Sequence, residues 1–518
     1  MKKGFLNNVD SDMLWYIYES MEEGDTDYES AIRSYIRSYK DKGISDLILC
    51  CFCQSSIIKS NVWSWLGDKT YQKTENGYPV DYSNLHRVKH LSDMYSSLQK
   101  DPFDIMIEEA RRSGMKPWLS IRMNDSHNAT GNTFFLHGDI YYHAKREGYF
   151  VGKDAVENPW FSECYDYSNA YVREKMTAYI DELLTNHDTD GFEMDFMRDI
   201  FCFDYSKNPD AKKIMTEFLI GVRDIVKKAE KKHGHKIKIG IRLCSDIEYN
   251  RIFGFDAEEF MRLGLVDSIT LTSRWFCTES NMPIADWKKL AEPYGVEIYA
   301  GLEIMATLPW RQTDETLRGF ARAYTEEGAD KIYLYNYFRT RGYDRRPDDT
   351  KRREHDAAYA DKFITDEYES WLNSCFAAAW DPHESGKTSR FILTRYDRDV
   401  APRGESPFIP FPRSLNGQTD FDMKTGDISE SECYLITGIS HGAAPSVSVD
   451  GVLAEYLGIA EDIALKPEGV HNSLNANDAY MSYTYHLYKI TPNASLWHKI
   501  DLFGENITVE YLEIKANS

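Results

Sequence analysis

A nine-residue stretch, Asp190-Gly191-Phe192-Glu193-Met194-Asp195-Phe196-Met197-Arg198, places two carboxyl groups two residues apart. Side chains of an extended chain alternate between faces, so Glu193 and Asp195 share one face while Phe192, Met194 and Phe196 share the other. If the apolar face packs on helices, both acids point inward, where a charge is costly unless paired, hydrogen-bonded or titrated away. Such acids in a cleft more often mark function than structure. A third acid, Glu303, ends the apolar run Gly301-Leu302-Glu303. Hydrolysis of a glycosidic bond requires two carboxyl groups flanking it, about 5 Å apart for retention and about 6.5–9.5 Å for inversion. Asp195 and Glu303 form the first pair, one as nucleophile or base and the other as general acid. Glu193, set deeper, orients or tunes Asp195.

Other polar residues gather near the ends of apolar runs: Arg122, Asn124, Asp125 and His127; Arg198; Arg242 and Asp246; Arg274 and Trp275; and Asn336. These are the candidate substrate-binding groups, with Asp125 and Asp246 as reserve acids. Guanidinium forks suit anionic groups, so the arginines point either to an anionic sugar or to charge balance with the local acids. Trp275, Trp310, Trp118 and the Trp63–Trp65 pair could floor a sugar site, though core packing explains each one singly. His127, His137 and His143 are spaced by ten and six residues, which matches no common helical ligand pair. No metal or other cofactor is expected. Neither a glycine-rich phosphate loop nor a Gly-x-Ser-x-Gly elbow is present.

These residues need a scaffold that brings several strand ends together. To about residue 380, β-like runs alternate with amphipathic helical segments. The runs are Leu14–Tyr18, Leu47–Phe52, Pro117–Met123, Gly191–Phe196, Ile237–Arg242, Ser268–Thr272, Glu297–Leu302 and Lys331–Asn336. Eight such units imply parallel pairing and an α/β fold of the (β/α)8 TIM-barrel type, with its active site at the C-terminal strand ends. On this reading Tyr18 and Glu19 end strand one, the N-terminal strand ends are dull, and long insertions follow strands two and three. Beyond residue 385 short runs punctuated by Pro, Gly and Ser read as an all-β sandwich. The expected domains are a barrel over residues 1–384 and a sandwich over 385–518.

The chain has 518 residues, a formal charge of −22 and 42% hydrophobic residues, 14% of the chain being aromatic. That supports a sizeable core and excludes general disorder. No apolar run is long enough to span a membrane, and the acidic balance argues against nucleic acid. The start, Met1-Lys2-Lys3-Gly4-Phe5, carries no apolar signal segment, which favours the cytoplasm. Nine cysteines, three of them clustered at Cys50, Cys51 and Cys53, read as buried free thiols in a reducing compartment.

The barrel, the Asp190-Gly191 to Asp195 motif and the appended β-domain together resemble the family-10-like glycosyl hydrolases, over roughly residues 10–380. Strand four is also similar to the Gly-Phe-x-x-Asp strand of the α-amylase superfamily, a resemblance that implies a nucleophile at Asp195. Two departures stand out: Glu193 occupies the position where that superfamily has arginine, and no Asn-Glu pair ends strand four. The expectation is a glycoside hydrolase acting on an oligosaccharide or glycoconjugate, with long loops favouring an exo-acting pocket. The alternatives are a metal-assisted lyase or isomerase using Glu193, Asp195, Asp246 and Glu303, or a non-catalytic sugar-binding barrel.

Overall fold

The computed structural model describes residues 4–19, 21, 24–67, 85–126, 138–154, 156, 159–205, 207–273, 279–304, 312–336, 366–394, 413–464 and 483–518. Eight parallel strands close into a barrel: β1 (Phe5–Val9), β2 (Ile44–Cys50), β3 (Lys116–Arg122), β4 (Gly191–Asp195), β5 (Lys238–Leu243), β6 (Ser268–Leu271), β7 (Glu297–Glu303) and β8 (Lys331–Tyr335). Each strand pairs with its sequence neighbours, and β8 closes onto β1 through Leu6–Tyr333 and Asn7–Leu334. Helices cross over between consecutive strands, as the alternating pattern required. Their starts are written in the sequence. Asp101 caps Phe103 N–H ahead of Pro102, Asn169 caps Tyr171 N–H, and Thr313 and Thr316 form a reciprocal capping box.

Strand one departs from expectation. The run Leu14–Tyr18 lies inside the helix Met13–Glu19, and the strand is Phe5–Val9. Met13, Ile17 and Met21 are buried at helical spacing, so what looked like a strand is a buried helical face. The true strand carries two polar residues, Asn7 and Asn8, among its apolar ones, and no strand was expected there. Asn8 instead points into the barrel and donates to the Tyr333 hydroxyl (2.8 Å).

The barrel interior is stacked in layers. Leu6, Ile48, Trp118, Tyr299, Tyr333 and Tyr335 fill its middle. The Trp118 ring lies flat beneath β4 and β5; a Cβ at Gly191 would fall 2.1 Å from it, and one at Gly240 would fall 3.1 Å from it. The N-terminal end is not dull. Lys331 pairs with Asp46 and Lys238 with Glu297, each at 2.5 Å, and the Tyr299 hydroxyl also donates to Glu297. These charges are matched one to one, so they plug the barrel bottom without leaving a reactive surplus.

The C-terminal region is an antiparallel domain of eight strands: β9 (Thr388–Thr394), β10 (Arg413–Lys424), β11 (Glu432–His441), β12 (Ser446–Val449), β13 (Val452–Leu453), β14 (Glu455–Ile459), β15 (Thr484–Lys489) and β16 (Trp497–Asn517). The 21-residue β16 is its spine. Its first half pairs with β10 and β12, and its second half with β9 and β11. Both halves contribute to one core, with Phe391, Leu415, Leu435, Val447, Ile500 and Leu512 buried together, as in a sandwich. Arg390 docks this domain on the barrel, bonding Glu315 of the helix Asp314–Glu326, Asp462, and the fully buried Glu513 of β16 (2.5 Å). The eight described cysteines are all buried and free. Among the described residues no helix is long and apolar enough to cross a membrane.

Candidate active site

Four strands converge their polar ends on β4. In the parallel register Asp195 sits between Arg122 of β3 and Arg242 of β5. Its Oδ1 accepts the backbone N–H groups of Met197 (2.8 Å) and Arg198 (3.1 Å) and lies 3.0 Å from Arg242 Nε. Its Oδ2 accepts no hydrogen bond from a described residue. The Arg242 guanidinium itself lies over the Tyr335 ring, 4.6 Å from its centroid. Both Asp195 and Arg242 are buried. Among the described residues, one carboxylate oxygen is thus pinned and the other takes no hydrogen bond.

Glu193 lies one layer deeper on the same face. Its Oε1 accepts from Ser120 Oγ of β3 and from the Tyr333 hydroxyl of β8, each at 2.8 Å. Burial, followed by the adjacent Asp195 charge, pushes Glu193 up to about 7, while Arg242 and the two hydroxyl donors oppose the rise. Near neutrality this carboxyl is therefore partly protonated. Its Oε2 takes no hydrogen bond from a described residue.

Glu303 ends β7 beside Tyr335 of β8 and accepts from Asn336 Nδ2 at 2.9 Å. Asn336 adopts a left-handed backbone (φ 53°), a costly conformation that aims its amide at Glu303.

Two arginines serve a network on the β1–β3 side. Arg122 bonds Asp125 (3.0 Å) and Asp10 (2.7 Å), and Arg198 approaches Asp125 at 3.7 Å. Burial alone would raise the Asp10 carboxyl, but Arg122 and Arg198 hold it below its ordinary value. Asp10, not Tyr18 or Glu19, is the acid that β1 delivers to the rim.

Other candidates are occupied locally. Asn124 bonds the backbone of Tyr165 through both ends of its amide and also donates to Phe201 O, clamping two loops. Asp246 caps the helix Ile247–Ile252 through Tyr249 N–H. Trp118 belongs to the barrel core and Trp63 is buried in the packing around Tyr179 and Tyr165, so neither floors the mouth. His127, His137, Arg274, Trp275 and Trp310 lie outside the described residues. Among the described residues no group of three His, Cys, Asp or Glu side chains is placed to hold a metal ion.

Sequence reasoning did not single out Asn8, Asp10, Ser120, Tyr333 and Tyr335. Tyr333 and Tyr335 alternate with Ile332 and Leu334, a period-two signal of an inward polar face on β8. Asn8 and Asp10 were lost with the misplaced first strand.

No known family's sequence pattern matches the chain, and no curated protein sequence matches it. Solved structures do resemble it. One is a cycloisomaltooligosaccharide glucanotransferase from Paenibacillus complexed with cycloisomaltoheptaose, at 9% identity and TM-score 0.33, covering 99% of this chain and 57% of that one. Another is the glycoside hydrolase domain of PgaB (BpsB) from Bordetella bronchiseptica, at 10% identity and TM-score 0.37, covering 64% and 93%. A third is the Paenibacillus chitinase ChiW, at 9% identity and TM-score 0.41, covering 98% and 54%. The chain thus spans little more than half the length of the first and third.

Proposed function

We propose that the protein is a glycoside hydrolase whose bond cleavage centres on Asp195. The observation that carries this reading is the asymmetry of that carboxylate. Oδ1 is fixed by two backbone N–H groups and Arg242, Oδ2 accepts no hydrogen bond from a described residue, and the residue closes the C-terminal end of strand four in a closed (β/α)8 barrel. A nucleophile or base held in this way pays no reorganisation cost at the moment of attack. In this reading Asp195 attacks the anomeric carbon or activates a water molecule, and Glu303, oriented by Asn336, delivers a proton to the leaving oxygen. Glu193 lies beneath Asp195 and is partly protonated near neutrality.

The described arginines favour a neutral sugar over an anionic one. Arg122, Arg198 and Arg242 are each engaged by carboxylates, so they leave no cationic surplus to recognise a uronic acid or sulfate. Assignment to the family-10-like enzymes rests on the strand-four motif and the barrel architecture. Buried free thiols fit a reducing compartment such as the cytoplasm.

The test is a panel of aryl glycosides of neutral hexoses, 6-deoxyhexoses and N-acetylhexosamines. Turnover of at least one is expected, with Asp195→Asn lowering kcat about a thousandfold while circular dichroism stays unchanged. A 2-deoxy-2-fluoro glycoside of the accepted sugar, followed by peptide mass spectrometry, reads the stereochemistry. An adduct on Asp195 signals retention, whereas inverted product without an adduct makes Asp195 the base. Near-normal turnover by Asp195→Asn removes it from the mechanism.

A further inference from the structure

A cavity of about 920 Å3 opens where the barrel rim meets the β-domain. One wall carries Asp246, Glu279 and Asp286 from the segments that follow β5 and β6, and the other carries Arg413 and Asp420 of β10. Ile247, Pro283, Leu290 and Leu393 add apolar lining, and the Arg413 guanidinium lies 4.3 Å from the Phe421 ring centroid. The walls are bolted together. Asn281 Nδ2 donates to Asp422 O (2.9 Å), Lys424 N–H donates to Asn281 Oδ1 (3.2 Å), and Ser280 Oγ donates to Ile392 O (2.5 Å). Beside them the buried Lys424 ammonium bonds Met282 O and the Glu327 carboxylate. The cleft is therefore a preformed shape of the fold, within the size range of small-molecule sites.

Along the chain it lies close to the rim. Asp246 follows Arg242, the ion-pair partner of Asp195, by four residues, so the two lie no more than about 14 Å apart along the chain. Ser245, next to Asp246, donates to Glu279 and ties the β5 and β6 segments to each other.

The lining selects a chemistry. It carries six carboxyl side chains to three cationic ones. Carboxylates accept hydrogen bonds, and sugar hydroxyls supply the donors. The apolar lining suits the C–H face of a pyranose, and the acidic surplus repels an anionic chain. We propose that this cleft binds the uncleaved remainder of a neutral oligosaccharide whose terminal bond lies at Asp195. The proposal rests on the glycosidase reading of that residue.

The test uses the full chain carrying Asp195→Asn, titrated calorimetrically with maltotetraose, cellotetraose and tetra-N-acetylchitotetraose, and with tetragalacturonate as the anionic control. One neutral tetrasaccharide is expected to bind and to protect residues 279–290 and 413–422 from hydrogen exchange. Asp420→Ala and Asp286→Ala, both at exposed positions that should spare the fold, should each weaken it about tenfold. Three results would each overturn the proposal: no binding, protection confined to the barrel rim, or tighter binding of tetragalacturonate. Aryl-glycoside turnover by the unmodified protein separates the two readings. Turnover without cleft protection sinks the cleft alone. Cleft protection without turnover supports the cleft as a sugar site and sinks the glycosidase reading.

Discussion

The Tyr333 hydroxyl donates a 2.8 Å hydrogen bond to Oε1 of Glu193 across the width of the barrel, from the eighth strand to the fourth. The two strands stand opposite each other in the closed ring, so this contact spans the lumen just below the proposed reaction centre. It also sets a protonation state. A hydroxyl donor favours the ionised carboxyl and therefore works against the burial that raises Glu193. Tyr333→Phe removes the donor and leaves the burial, so the Glu193 titration should move to still higher pH. Isotope-edited infrared spectroscopy can follow the protonated carboxyl band, assigned by its loss in Glu193→Gln. A band that titrates at the same pH in Tyr333→Phe would show that the contact does not govern the proton.

The same carboxyl should tie stability to pH, with a defined sign. Glu193 titrates at about 7 in the fold against an ordinary 4.5. Below pH 4.5 it is protonated in both folded and unfolded chains and imposes no penalty. As pH rises from 4.5 to 7, the unfolded chain releases its proton while the folded chain keeps it, so the fold loses stability. The loss is complete above pH 7 and amounts to about 3 kcal/mol. Glu193→Gln stays neutral and keeps an oxygen for Ser120 and Tyr333. Its stability relative to the parent should therefore grow by about 3 kcal/mol between pH 4.5 and 7, as read from urea midpoints at matched pH. A pH-independent difference would mean that the carboxyl is not held protonated. Added stability alongside lost activity is the trade expected of a functional group.

How legible this was depended on the kind of signal. Strands three to eight lay where the sequence put them because their outward faces, such as Ile239 with Ile241 and Ile332 with Leu334, carry runs of apolar residues that only a buried parallel sheet requires. Strand one failed because its inward Asn8 serves a hydrogen bond to a residue 325 positions away, and no local pattern reports that. Glu193 and Asp195 were visible through period two alone. The deeper seat of Glu193 was expected too, but its partners were not, because Arg242, Ser120 and Tyr333 arrive from three other strands. Asn124 resembled a ligand-binding group in sequence, yet it clamps two loops through the backbone of Tyr165 and Phe201, while Asp246 caps a helix through Oδ1 and also lines the cleft against the β-domain. A loop clamp and a helix cap use the same residue types as a binding site, and only coordinates separate them.

Trp118 supplies a sharper test of how the site is supported. Its indole Nε1 donates to Asp46 at the barrel bottom (3.1 Å), and its ring occupies the space above which β4 carries Glu193 and Asp195. That position exists because Gly191 has no side chain: a Cβ there would lie 2.1 Å from the ring, far inside contact distance. Gly191→Ala must therefore displace either the indole or strand four itself, and overpacking of this kind costs about 1–3 kcal/mol or more. Because Glu193 follows Gly191 by two residues, the displacement should reach the carboxyl pair, with a larger loss of kcat than of stability. Gly221, in the middle of the helix Ala211–His233, provides the control, since a Cβ there meets nothing within 4 Å. Gly221→Ala should stabilise by about 1 kcal/mol through helix propensity alone and leave catalysis untouched. Thermal unfolding and aryl-glycoside kinetics on the two variants check both halves. A Gly191→Ala protein with parental melting temperature and turnover would refute the placement of Trp118 under strand four.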